Sequence, residues 1–404
     1  MHTFTPREYL LIDMANQYGK DKKTFPQRIA WAKSIKRPMS KVGFAKKPYQ
    51  YAAAVLALQQ ADRGEVIGHL VGLDASASGI SLMGTMMGCE TTAKNCGIIG
   101  NKPSDIYTVL TDTMQEMTDE DVDVERADSK YAMMTRYYGS EATPKHIFGD
   151  GDMLNTFYGA AEEVAPGANK LLEILLDSWQ PYATEHSWRM PDGFMVKIPV
   201  LQKVQSKIEV DEIEGHPSIQ YVHYVNEGTE TGLSVAANGV HSVDGFIVRE
   251  ITRRCNYDKS DLLAVRRMLK KDLDNPKATE RTTVPLYEKL YWAHGFASLA
   301  CVDSMLASGI NGYSLTFKTI IYELIEDVLT YEPFDMIQIH DEFKCHPNHV
   351  NRMRETYIGI LAEIADSDIG QEIVRQIRKD DTFTLKKLSE NLGDLIREGE
   401  YPIG

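Results

Sequence analysis

At 404 residues, 43% hydrophobic and 25% charged, the chain has the make-up of a soluble globular protein with one large core or two ordinary domains. Its net charge of −14 argues against nucleic-acid binding by the surface as a whole. No apolar stretch approaches a membrane span, and the start of the chain, with Arg7, Glu8 and Asp13 among its apolar residues, is not a signal peptide. The five cysteines (Cys89, Cys96, Cys255, Cys301 and Cys345) are odd in number and widely spaced. That spacing opposes a disulfide framework or a zinc site and fits a reducing cytoplasm.

In chain order, residues 4–60 read as helices, the first with Thr5 as N-cap and Pro6 at the first helical position. Ten Lys or Arg stand against the single acid Asp21 between Gly19 and Gln50, either a solvated face or a basic track for phosphates. Residues 66–73 are strand-like and end in Asp74, followed by the small residues "ASASG". A helical pair is expected at 103–118 and 123–138, with the acids of "MTDEDVDVE" complementing the second helix dipole. "WRMPDGFMVKIPV" carries a turn at Pro191–Gly193 and then a strand. Residues 204–240 alternate like a long ribbon, with six acids and no Lys or Arg between Ile208 and Glu230. Residues 258–330 are mostly helical, a hairpin follows, and helices run to residue 404. The fold class is α+β.

The hairpin "MIQIHDEFKC" is a puzzle, because its tip is His340-Asp341 where turn formers would be usual. It reads as buried, with Asp341 held where water or a metal can reach it. Mg²⁺ usually takes one or two protein carboxylates plus phosphates, and Asp74, at the end of another apolar strand, supplies the second. Two such acids can grip two metals for in-line attack at phosphorus. In "ERADSKYAMMTRYYGS", Arg126, Lys130, Met134 and Tyr138 fall within an arc of about 120° at helical spacing. That face can hold a triphosphate and stack on a base, or it can be a cationic stripe with Tyr138 in the core.

Arg-x₃-Lys-x₇-Tyr-Gly at 126–139, between a strand-terminal Asp and a later His-Asp, resembles motifs of two related groups. These are the phage and mitochondrial type of RNA polymerase and the family A DNA polymerases. His340-Asp341-Glu342 is more like the DNA enzymes. "DASASGIS", "MPDGF", "NGVHSVDG" and "DIYTVL" are more like the RNA enzymes. The resemblance implies a palm-and-fingers architecture and a template-directed RNA polymerase. It implies that Asp74 and Asp341 hold two Mg²⁺ ions, with the Ala75 carbonyl as a further ligand. It assigns Arg126 and Lys130 to the triphosphate, Lys130 also to protonating pyrophosphate, and Tyr138 and His241 to ribose selection. Tyr107 falls near the nucleotide path and Gly79 leaves room for the 2′-hydroxyl.

Segments implied by that reading are 1–65 (helical start), 66–100 (palm with Asp74) and 101–185 (fingers). They continue with 186–258 (palm strands and a specificity-loop-like ribbon), 259–330 (a helical insertion) and 331–404 (palm hairpin and terminal helices). The resemblance starts at the family's fingers, so the family's N-terminal domain, thumb and Asp-x-x-Gly-Arg motif are expected to be missing from this chain; no Gly-Arg dipeptide occurs in it. The expectation is a second subunit that supplies them, as in a two-subunit enzyme of bacterial viruses working in the infected cell's cytoplasm. The other expected partners are DNA template, RNA product and rNTPs. Because the ribbon is acidic, a recruitment factor or single-stranded DNA is expected to replace promoter reading. The basic stretch "RRMLKKDLDNPKATERTTV" fits either a nucleic-acid or partner contact or a plain insertion helix. A DNA polymerase fragment and a catalytically inactive scaffold subunit remain as alternatives.

Overall fold

Thr5 accepts a hydrogen bond from the Glu8 amide, and the Glu8 carboxylate accepts one from the Thr5 amide. This reciprocal cap satisfies donors that a helix start leaves unpaired, so helix α1 (Pro6–Tyr18) begins where the sequence places it. It packs on α2 (Phe25–Ser34) and α3 (Pro48–Asp62). The computed structural model describes residues 1–118, 123–210, 212–276 and 283–404. The expected acids Asp119, Glu120 and Asp121, Asp211 of the ribbon, and residues 277–282 of the basic stretch lie outside the described residues.

Strand β1 (Val71–Asp74) leads into α4 (Ser78–Met86), α5 (Glu90–Asn95), α6 (Ile106–Met117) and α7 (Arg126–Tyr137). Next come α8 (Ala142–Phe148), α9 (Asp152–Val164) and α10 (Pro166–Asp177). Strands β2 (Glu185–Arg189) and β3 (Met195–Pro199) form one hairpin, and β4 (Leu201–Glu209) with β5 (Ser218–Asn226) a separate ribbon. Helix α11 (Ser234–Cys255) packs on α4 and α10, and is followed by α12 (Lys259–Asp274), α13 (Leu286–His294), α14 (Cys301–Ser308) and α15 (Leu315–Val328). The chain finishes with β6 (Met336–Ile339), β7 (Glu342–Cys345), α16 (Val350–Asp366), α17 (Ile369–Arg378) and α18 (Leu392–Glu398). The architecture is α+β, with helices in the majority and small antiparallel sheets.

One large core joins α1, α3, α4, α9, α10, α11 and α16 around β1 and β7. A second cluster, including Leu262, Val265, Met305, Phe317 and Ile321, belongs to α12, α14 and α15. Among the described residues no helix is long and apolar enough to cross a membrane.

Three expectations change. The strand expected from Val66 begins only at Val71, because its partner β7 has four residues and leaves 66–70 without a ladder. The ribbon ends at Asn226, and residues 234–240 are the first turns of α11 rather than strand. The hairpin is not buried throughout: of its two strands only β7, the middle one in the order β1-β7-β6, buries its apolar residues, Phe343 and Cys345. The edge strand β6 leaves Ile337 and Ile339 about half exposed.

Asp192 of the Pro-Asp-Gly turn ties the β2–β3 hairpin to α11. Its carboxylate accepts from Arg249 Nε at 2.5 Å and from Arg253 Nη1 at 3.0 Å, with no exposed surface of its own. Burial alone would raise its pKa, but the Arg249 hydrogen bond and charge, joined by Arg253, hold it below the usual carboxylate range. The stabilisation is therefore complete above the ordinary value of 3.8 and is lost as pH falls through the lower folded value. Asp192→Ala is expected to cost about 2 kcal/mol at neutral pH, since both arginines are partly solvated and rehydrate. Thermal denaturation should show the gap from wild type shrinking in the acid range; a gap independent of pH would contradict the ion-pair account.

Candidate active site

Strand β7 places the acids of the hairpin. Ile339 pairs with Glu342, leaving His340 and Asp341 as a two-residue loop. His340 has φ +57°, a left-handed backbone that costs a non-glycine residue about 1 kcal/mol. Such strain survives where surrounding structure fixes it, often at functional sites. The surrounding structure here is β1: Asp74 lies opposite Glu342, and the Ala75 amide donates to the Asp341 carbonyl at 3.0 Å. The two sequence-nominated aspartates thus arrive side by side from adjoining strand ends. A Cβ at Gly72 would run into the Glu342 carboxylate, so a larger residue there requires that side chain to swing away. Glu342 itself bonds Lys344 at 3.1 Å.

Backbone contacts also hold Asp74 from its other side. The Gly404 amide donates to the Asp74 carbonyl at 2.9 Å and the Ser76 amide to the Pro402 carbonyl at 3.4 Å, bridging Ala75 to Ile403. That segment is anchored by Tyr401, whose ring stacks on Phe25 at 4.8 Å, and by the fully buried Arg354, which donates to the Glu400 carbonyl and carboxylate.

The acids crowd one another. Asp74 lines the cleft with its side chain open to it; the partial burial of its carboxyl within the cleft first, then the Asp341 and Glu342 charges, raise its pKa, against the pull of Lys47 and Lys344. On α11, Asp244 is raised by burial and then by Asp341, with His241 and His340 opposing. Tyr138 is likewise raised by burial, then by Asp244 and Asp341.

Facing the acids across a cleft of about 690 Å³ stands α7, whose Arg126, Lys130, Met134 and Tyr138 all line the cavity. The predicted helix face is real, and its open side is the cleft. Helix α7 ends with the Gly139 amide bonding Arg136 and the Ser140 amide bonding Thr135. This termination needs the φ of +88° at Gly139 and leaves Tyr138 at the cap, half exposed. The Tyr138 ring stacks on His241 of α11 at 4.9 Å and 13°. A Cβ at Gly79 would lie 3.6 Å from the Tyr138 hydroxyl, so glycine keeps that corner open. The Lys130 ammonium sits 5.2 Å above the Tyr107 ring. Arg126 is paired with Asp105. Burial would raise the Asp105 carboxyl, but the Arg126 hydrogen bond, with Lys22, holds it below its usual range.

Every residue nominated from sequence (Asp74, Ala75, Gly79, Tyr107, Arg126, Lys130, Tyr138, His241 and Asp341) lies at this cleft or stacks on a residue that lines it. Four contributors were not singled out. Asp244 stands three residues after His241, a relation visible only once 234–255 is read as helix. Asp105 opens the quoted "DIYTVL". Lys22 and Lys46, part of the basic run, line the wall near Gly19.

The family model of DNA-dependent RNA polymerase matches residues 5–142. This segment resembles that polymerase family in sequence as well as in motif order. The matched segment contains Asp74, Ala75, Gly79, Tyr107, Arg126, Lys130 and Tyr138, while His241 and Asp341 lie beyond it and are joined to it by the fold. No curated protein matches the chain. The likeness of residues 5–142 to DNA-dependent RNA polymerases supports a DNA-dependent RNA polymerase function, which is a nucleotidyl transfer.

Among the described residues no group of three or more His, Cys, Asp or Glu could hold a metal ion by themselves. The donor set is instead a crowded carboxylate pair. That suits Mg²⁺, which keeps waters and completes its shell with substrate phosphates, and a divalent cation would relieve the Asp341 and Glu342 repulsion that adds to burial in raising Asp74.

Proposed function

We propose that this chain is the catalytic part of a DNA-dependent RNA polymerase, joining rNTPs to an RNA 3′ end on a DNA template. The observation that carries the reading is the meeting of Asp74 and Asp341 opposite the Arg126–Lys130–Tyr138 face, with His241 stacked on Tyr138. Two Mg²⁺ ions held by the aspartates and the Ala75 carbonyl would supply charge neutralisation at the attacking and leaving oxygens. The protein's own share is positioning and electrostatics, as phosphoryl transfer requires. Lys130 and Arg126 bind the triphosphate, and Lys130 hands a proton to departing pyrophosphate. Tyr107 fixes the Lys130 ammonium from below. Tyr138 and His241 form a polar wall for the ribose 2′-hydroxyl, and Gly79 leaves space for it.

In this reading the β1-β7-β6 sheet is part of a palm and α6–α7 part of the fingers. The half-exposed Ile337 and Ile339 on the open edge of β6 favour a second polypeptide pairing there and completing the palm. The acids Glu209, Glu212 and Glu214 around the far end of the β4–β5 ribbon oppose groove reading and favour delivery to opened DNA by a recruitment factor. The setting, the cytoplasm of a virus-infected bacterium, rests on the resemblance alone.

A family A-like DNA polymerase is the second reading, favoured by Glu342 beside Asp341. Primer extension on a DNA template, by the chain together with proteins co-purified from its source cells, separates the two. Use of rNTPs is expected, and strict use of dNTPs would reject the RNA polymerase. Tyr138→Phe and His241→Ala should each lower the rNTP preference by about tenfold or more, since a polar pocket discriminates through the hydroxyl it bonds. Unchanged preference in both would remove these residues from sugar selection.

A further inference from the structure

From Lys22 to Ala61 the chain has no acid at all, in a protein of net charge −14. Within this stretch Lys36, Arg37, Lys41, Lys46 and Lys47 are all exposed. None has a carboxylate partner among the described residues. Three large apolar side chains stand out among or just beyond them: Met39 is 43%, Phe44 75% and Tyr49 89% exposed.

The segment is not loose. It contains a 3₁₀ stretch, Pro38–Phe44, fastened by the Tyr51 hydroxyl to the Pro38 carbonyl at 3.2 Å. The Lys46 and Lys47 amides donate to the Tyr18 and Gln17 carbonyls at the end of α1. Rings and cations are therefore offered on a fixed platform, with the Lys41 ammonium 5.8 Å from the Phe44 ring centre. One end of the platform enters the cleft: Lys46 lines it, and the Lys47 charge is felt by Asp74.

We propose that residues 36–49 form a track for single-stranded nucleic acid leading to the cleft, with Phe44 and Tyr49 stacking unpaired bases and Lys36, Arg37, Lys41 and Lys47 contacting phosphates. Exposed rings interleaved with unpaired cations are the means by which strands are bound without regard to sequence. A duplex is a poorer ligand, because its bases are already stacked and offer these rings no face. An anionic membrane would also meet rings and cations, but the continuity of the platform with the acid-lined cleft favours a polymer that runs into it.

The test is fluorescence anisotropy on the full chain without nucleotides, so it reads binding and not catalysis, and the polymerase reading can fail without deciding it. Labelled oligo-dT and oligo-rU of about fifteen nucleotides, a duplex, and anionic lipid vesicles serve as probes. Phe44→Ala combined with Tyr49→Ala should weaken binding of one or both single strands by about tenfold and leave the duplex nearly unaffected. Replacing Lys36, Arg37 and Lys41 by Gln should flatten the slope of log affinity against log salt by about 2. The two oligomers show whether DNA or RNA uses the track. Unchanged single-strand binding in both variants overturns the proposal, as does equal loss for the duplex or capture by vesicles in preference to oligonucleotides. Should the aromatic variant not fold, photocrosslinking wild type to a bromouracil-containing oligomer decides. Adducts on Phe44 or Tyr49 support the track, and adducts confined to other surfaces reject it.

Discussion

Asp341→Asn is expected to reduce RNA extension by about three orders of magnitude or more, the loss that follows when charge stabilisation worth several kcal/mol is removed from phosphoryl transfer. Asp74→Asn should behave alike, because the two carboxylates meet from β7 and β1 as one unit. The same substitutions should leave the protein at least as stable as wild type. Asp74 carries a raised pKa from burial and from Asp341, so removing one of two crowded negative charges relieves repulsion. A variant that melts no earlier yet no longer extends a primer is what a functional strain site gives. Normal extension by Asp341→Asn would instead assign the chain to a scaffold role.

The sequence carried the site further than it carried the frame around it. Asp74 and Asp341 were legible because each ends an apolar run abruptly, and strand ends fix side-chain direction. The α7 face was legible because 3.6-residue periodicity needs no tertiary knowledge. Helix α11 was not. Its first residues, "SVAANG", combine small and β-branched types after a long alternating ribbon, and what makes them helical is burial of Val235, Ala236 and Val240 against the rest of the core. Mistaking that boundary hid Asp244, whose place beside His241 depends on the helical turn. The short β1 has a similar cause: a strand is as long as its partner permits, and the four residues of β7 are not announced in residues 66–70. Nor could composition show that Arg126 would be shared with Asp105, a contact between two helices that only their packing creates.

That sharing shapes the second large effect. Arg126 is held by Asp105, whereas Lys130, beside the Tyr107 ring, has no carboxylate partner among the described residues and its charge is free for phosphate. Lys130→Ala is therefore expected to lower the single-turnover rate by about 10²–10³, the usual cost of deleting one preorganised donor at developing charge. Arg126→Ala should act mainly on the apparent affinity for nucleotide, because its guanidinium must first be drawn away from Asp105. Lys130→Arg separates the two tasks given to this residue. Arginine restores the charge but does not release a proton at any workable pH, so a variant as slow as Lys130→Ala identifies proton transfer to pyrophosphate as the greater part of the role. Recovery to near the wild-type rate would leave Lys130 as a charge alone, and a Lys130→Ala enzyme within a few-fold of wild type would remove α7 from the chemistry.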